Sequence, residues 1–132
     1  MKDYRIFVEK RPGFRIEAES LQQDLNENLG LRQRGLRLLN VYDLFGFTPE
    51  LLAASRYRVF GEVQTDEVTD ACVLEGRKYL AVEYLPGQFD QRAASAVDCV
   101  RLIDPEADVR IRSARLLVFD AATTDEEVAR VR

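Results

Sequence analysis

Two Pro-Gly corners, Pro12-Gly13 and Pro86-Gly87, each follow an alternating apolar segment and precede a helical one. Their contexts, YRIFVEKRPGF and KYLAVEYLPGQF, read as two copies of one unit in a 132-residue chain. Duplication constrains a fold strongly, because each copy must build the same supersecondary element. At an offset of 74 residues, Ile6 aligns with Leu80, Val8 with Val82 and Glu9 with Glu83. One extra residue, Gln88, shifts the offset to 75, so that Phe14 aligns with Phe89, Ala18 with Ala93 and Leu25 with Val100. Thr48-Pro49-Glu50-Leu51-Leu52 then meets Thr124-Asp125-Glu126-Glu127-Val128 at 76. The offset grows in one direction, as loop insertions make it.

The first copy opens with Tyr4, Ile6 and Val8 on one side of a strand and Arg5, Phe7 and Glu9 on the other, the period of a half-buried strand. Pro12-Gly13 ends it, since proline has no ladder donor and glycine accepts turn dihedrals. Ala18, Leu21, Leu25 and Leu29 form one helical stripe, with Gly30 placed as a left-handed cap. A strand follows over about 36–44. Thr48-Pro49-Glu50 marks a helix start that runs to about Phe60, where Gly61 stops it. Residues 63–74 carry a weaker, more acidic strand signal, and Glu75-Gly76-Arg77 is the candidate linker.

The second copy repeats this order. Lys78–Tyr84 is the strand; Ala93, Ala96, Val97, Val100 and Ile103 are the helix stripe, ended by Asp104-Pro105. Val109–Phe119 is the next strand, with mixed alternation near Ser113 and Ala114 that suggests a bulge. Thr124 caps a last helix whose acidic first turn suits the helix dipole. Copy one spans residues 1–74. Copy two, 78–132, stops inside its second helix without a third strand, so a larger parent chain is expected. The pattern predicts α+β architecture: duplicated, ferredoxin-like βαβαβ units with antiparallel sheets packed against helices, related by a pseudo-twofold axis.

Composition removes several chemistries. The chain has no His, so Ser-His-Asp and Cys-His arrangements and His-containing metal sites cannot form within it. Net charge is −4 with the basic residues interspersed, which offers no footprint for nucleic acid. Arg110, Arg112 and Arg115 read as the solvated face of a strand. No apolar run approaches the ~20 residues that span a bilayer, and no secretory pattern opens the chain. Two cysteines without CxxC spacing, Cys72 and Cys99, suit a reducing cytosol, and Cys99 falls on the apolar stripe of its helix. No phosphate-binding glycine loop is present.

The most distinctive segment is Leu85-Pro86-Gly87-Gln88-Phe89-Asp90-Gln91-Arg92. Its plainer reading makes Asp90 a helix cap, Phe89 an anchor for the loop, and Gln91 and Arg92 solvated. Its functional reading puts Gln88, Gln91 and Arg92 against a polar partner surface or a phosphate near a helix start. Glu9-Lys10-Arg11 at the first corner is likewise a solvated turn or a docking patch.

FVEKRPGF, LQQDLNENLG, LRLLNVYDLFGF and above all LAVEYLPGQFDQRAASAVDCVRLI resemble the N-terminus of the large, single-chain bacterial phosphoribosylformylglycinamidine synthases. The similarity covers essentially the whole chain. That family's N-terminal region is similar to two copies of the small PurS subunit, which accounts for the duplication. The resemblance implies a parent ligase that uses ATP, Mg²⁺ and glutamine to make formylglycinamidine ribonucleotide in purine biosynthesis. Its synthetase and glutaminase domains lie outside these residues, so no catalytic, cofactor-binding or metal-binding residue carries over. The PurS-like region is expected to dock those two domains in the cytoplasm, without nucleic acid or membrane, and by itself to self-associate. Gln88, Asp90, Gln91 and Arg92 match the family's PGQ-aromatic-DQR run and are the expected inter-domain or substrate-side contacts. The chain departs from that run at Ala94, where the family carries an acidic residue. Two other readings stand beside this one: a regulatory small-molecule module, and a stand-alone dimerising scaffold.

Overall fold

The computed structural model describes residues 3–71, 77–85 and 87–131. The first half runs β1 (Tyr4–Lys10), α1 (Ile16–Leu29), β2 (Arg37–Phe45), α2 (Pro49–Ser55) and β3 (Asp66–Thr69). The second runs β4 (Tyr79–Glu83), α3 (Gln91–Ile103), β5 (Arg110–Val118) and α4 (Asp125–Val131). All five strands join one antiparallel sheet in the order β3-β1-β2-β5-β4. The fold is α+β and ferredoxin-like, as the alternation and helix stripes predict. The seam between halves is β2–β5, paired without interruption from Arg37–Val118 to Phe45–Arg110.

The helices pack on one face of the sheet. Ile6, Tyr42 and Leu44 project from that face into a core closed by Leu52 and Phe60 of the first half and by Ala93, Ala96 and Val100 of α3. A second core sets Leu25 of α1 and Val128 of α4 over Leu117 and Phe119. Each core therefore takes a helix from each half, and neither half encloses a core alone. Fully burying one such aliphatic or aromatic side chain contributes about 1.5–3 kcal/mol. The polar link is Gln33, buried between the halves. Its Nε2 donates to Thr123 Oγ1 at 2.8 Å and its Oε1 accepts from Asp120 N at 2.9 Å.

Several expectations need correction. The helix expected to run to Phe60 ends at Ser55 and continues as a wider π-helical turn over Arg56–Phe60, in which Tyr57 leaves helical geometry (φ −113°, ψ 16°). That widening lets Tyr57 Oη accept from Val68 N and Arg56 Nη1 donate to Val68 O, both at 3.1 Å, so the turn clamps β3. β5 carries no bulge, since its pairing with both neighbours is continuous. Its alternation is mixed because both faces are covered at one end: Leu117 enters the helix-side core while Leu116 and Val118 join Leu39 on the opposite face. Cys99 is exposed. One residue before Val100 it lies about 100° around the helix, off the stripe of Ala93, Ala96 and Val100. Leu29, the last member of the α1 stripe, is also exposed at the helix end, which Gly30 closes with a left-handed cap. Among the three arginines of β5, Arg110 and Arg112 share the open face, whereas Arg115 turns to the helix side and pairs with Glu17. Cys72, Glu75, Gly76, Pro86, Arg132 and the end of the first unit at Leu74 lie outside the described residues.

Candidate functional site

Both corners close alike. Phe14 N donates to Arg11 O at 3.0 Å and Gln88 N donates to Leu85 O at 2.9 Å, each across four residues. Gly13 and Gly87 hold φ of +91° and +88°, the left-handed geometry that the third position of a type II turn requires. At the second corner Gln88 doubles the closure, its Oε1 accepting from Leu85 N at 2.6 Å.

Asp90 fixes this corner to the sheet. Its Oδ1 accepts from Ala93 N (2.9 Å), capping α3, and from Ser113 Oγ (2.7 Å); its Oδ2 accepts from Ser113 N (2.8 Å). β4 pairs with β5 only as far as Glu83–Ala114, so the carboxylate takes over the next ladder donor, that of Ser113. Asp90 is thus a structural pin. Gln91 and Arg92 lie exposed on the first turn of α3. Arg92 sits beside the Tyr42 phenol on the helix side; burial pushes that phenol above its ordinary pKa, and the Arg92 charge and hydrogen bond partly oppose the shift. Gln88 borders a different space, on the open face. The four expected contact residues therefore share a corner but not a surface.

Phe89, expected to anchor the loop, is 73% exposed. It belongs to an exposed apolar run that sequence reading did not single out: Tyr79, Val82, Tyr84, Leu85 and Phe89 all lie on or next to β4. The reason is topological. β1 and β4 are counterparts, but β1 is flanked on its outer side by β3, which pairs Val68 with Val8. No strand among the described residues pairs with the outer edge of β4. Val8 is consequently 6% exposed and its counterpart Val82 50%. An unpaired edge presents backbone donors and acceptors to any extended segment.

The open face of the sheet holds a cleft of about 830 Å³, between its apolar centre and the corner. Phe7, Val41, Ala114 and Leu116 form its floor, and Tyr79 and Tyr84 line its β4 side. Arg5 and Asp43 make a two-pronged ion pair at its rim, Nε–Oδ1 2.6 Å and Nη2–Oδ2 3.0 Å. The bond to Asp43 holds the Arg5 guanidinium above its ordinary pKa against the opposing cost of burial. Among the described residues no group of His, Cys, Asp and Glu is placed to hold a metal ion, and no helix is long and apolar enough to cross a membrane. No family model matches the chain, and neither the curated proteins nor the solved structures contain a match.

Proposed function

We propose that this chain is the PurS-like N-terminal region of a phosphoribosylformylglycinamidine synthase and that it acts by docking. One observation carries the docking role: the edge of β4, which no strand among the described residues pairs, with its apolar run, at a position where the counterpart strand β1 is covered. The sequence resemblance supplies the partners, the synthetase and glutaminase domains of that ligase. An extended segment from either domain could add to β4, its backbone completing the ladder and its alternate side chains covering Val82 and Leu80. Asp90 and Gln88 hold the corner in the shape that presents Leu85 and Phe89 to the same partner. ATP, Mg²⁺ and glutamine belong to the partner domains, and the chain's own residues contribute assembly.

The test is reconstitution. The remaining domains of such an enzyme, expressed as a separate chain, should show little glutamine-dependent formylglycinamidine ribonucleotide formation until this chain is added. This chain alone should show none. Full activity of the remaining domains without it, or no gain on adding it, contradicts the reading.

A further inference from the structure

We infer that the open-face cleft is a binding site for a free α-amino acid with a large apolar side chain. The inference stands on the cleft alone and does not depend on the docking role of β4. A volume of about 830 Å³ lies within the range of small-ligand sites, roughly 300–1,000 Å³. Such sites combine an apolar lining with a few converging polar groups, and this cleft has both.

The polar groups are unequally used. Arg5, Asp43 and Arg112 face one another across β1, β2 and β5 in one row. Asp43 commits both of its oxygens to Arg5. Arg112 makes no hydrogen bond or ion pair with a described residue, and it lines the cleft. Glu83 faces Ala114, two residues along β5 from Arg112 on the same face; it makes no contact ion pair with a described residue, although its charge acts on the Arg5 guanidinium. Diagonal neighbours of this kind stand about 7–8 Å apart, which leaves room for a zwitterionic head between a cation and an anion that make no contact ion pair with a described residue. The Arg112 guanidinium offers a two-pronged donor set for the carboxylate. Gln88 lines the same cleft; its Oε1 is engaged by Leu85 N, which leaves the Nε2 amide hydrogens as further donors. Glu83 accepts from the ammonium. The side chain then lies on Phe7, Val41, Ala114 and Leu116, against the rings of Tyr79 and Tyr84.

Two opposite charges select against half-ligands. A carboxylate without an amine leaves Glu83 unmatched, and an amine without a carboxylate leaves Arg112 unmatched. The experiment is titration calorimetry and thermal denaturation of the whole chain with L-phenylalanine, L-leucine and glycine, beside 3-phenylpropionate and phenethylamine. L-phenylalanine should bind and raise the melting temperature. Each half-ligand should bind about ten- to a hundredfold more weakly, the worth of one charged hydrogen-bonding partner. Arg112→Gln and Glu83→Gln replace exposed side chains, so both variants should fold and each should lose a similar factor for L-phenylalanine. Val82→Asp, on the other side of β4, should leave that affinity unchanged while impairing reconstitution with the ligase domains. No binding by any apolar amino acid at millimolar concentration overturns the inference. So does L-phenylalanine binding that both the Arg112 and Glu83 variants retain.

Discussion

Asp90 is the residue on which the second corner depends, because one carboxylate caps a helix and also receives two donors from Ser113. Asp90→Ala should cost about 2–3 kcal/mol in urea denaturation, a cap together with a buried donor left unmatched. Asp90→Asn should retain part of that, since its amide oxygen can still accept. Tyr42 makes a second prediction at this scale. Its folded pKa is raised above 10.0, so the native state holds the phenolic proton longer than the unfolded chain does. The associated stability is fully present below about pH 10 and is lost as the pH rises through the folded value. Tyr42→Phe should therefore flatten the alkaline fall of stability in a pH series of urea melts. Asp90 was legible as a cap from its place before a helical stripe. Its grip on Ser113 was not, because the two residues meet only when β4 ends short of β5.

Strand β5 shows where a periodicity argument stops. Alternation turns mixed near Ser113 and Ala114, where a bulge would leave one residue unpaired, and it stays mixed through Leu116, Leu117 and Val118. The continuous ladder explains it by burial on both faces. Leu116→Ala and Leu117→Ala should then be comparably damaging, each about 2–5 kcal/mol by chemical denaturation, whereas cover on one face alone would spare one of them. Helix starts were more legible. Thr48 accepts from Leu51 N at 3.1 Å, and Thr124 and Glu127 exchange bonds at 3.1 and 3.2 Å as a capping box does. Both come from short-range sequence signals. The exposed thiol of Cys99 and the π-helical turn before Gly61 were misjudged for a common reason. Apolar periodicity shows neither the angular offset that turns Cys99 away from Val100 nor the bonds from Arg56 and Tyr57 to Val68 that accompany the wider turn.

At the scale of the molecule, the two halves are one folding unit. α1 packs with α4 and α2 with α3, and Gln33 bonds across to Thr123 and Asp120. Calorimetry should show a single transition, and separate expression of the halves should give unfolded chains. The duplication could be read from the sequence because the Pro-Gly turns, the caps and the core stripes all recur at nearly one offset. The asymmetry of the sheet could not be read: periodicity gave β1 and β4 the same pattern and did not show that Val82 would stand half-exposed where Val8 is covered. That asymmetry is the centre of the functional account, and amide hydrogen exchange tests it most directly. Exchange should be followed in this chain alone and with the synthetase and glutaminase domains of the proposed parent ligase. Exchange over Tyr79–Phe89 should slow in the complex, with Asp66–Thr69 on the opposite edge unchanged. Unaltered exchange over Tyr79–Phe89, or protection confined to Asp66–Thr69, would contradict the docking role.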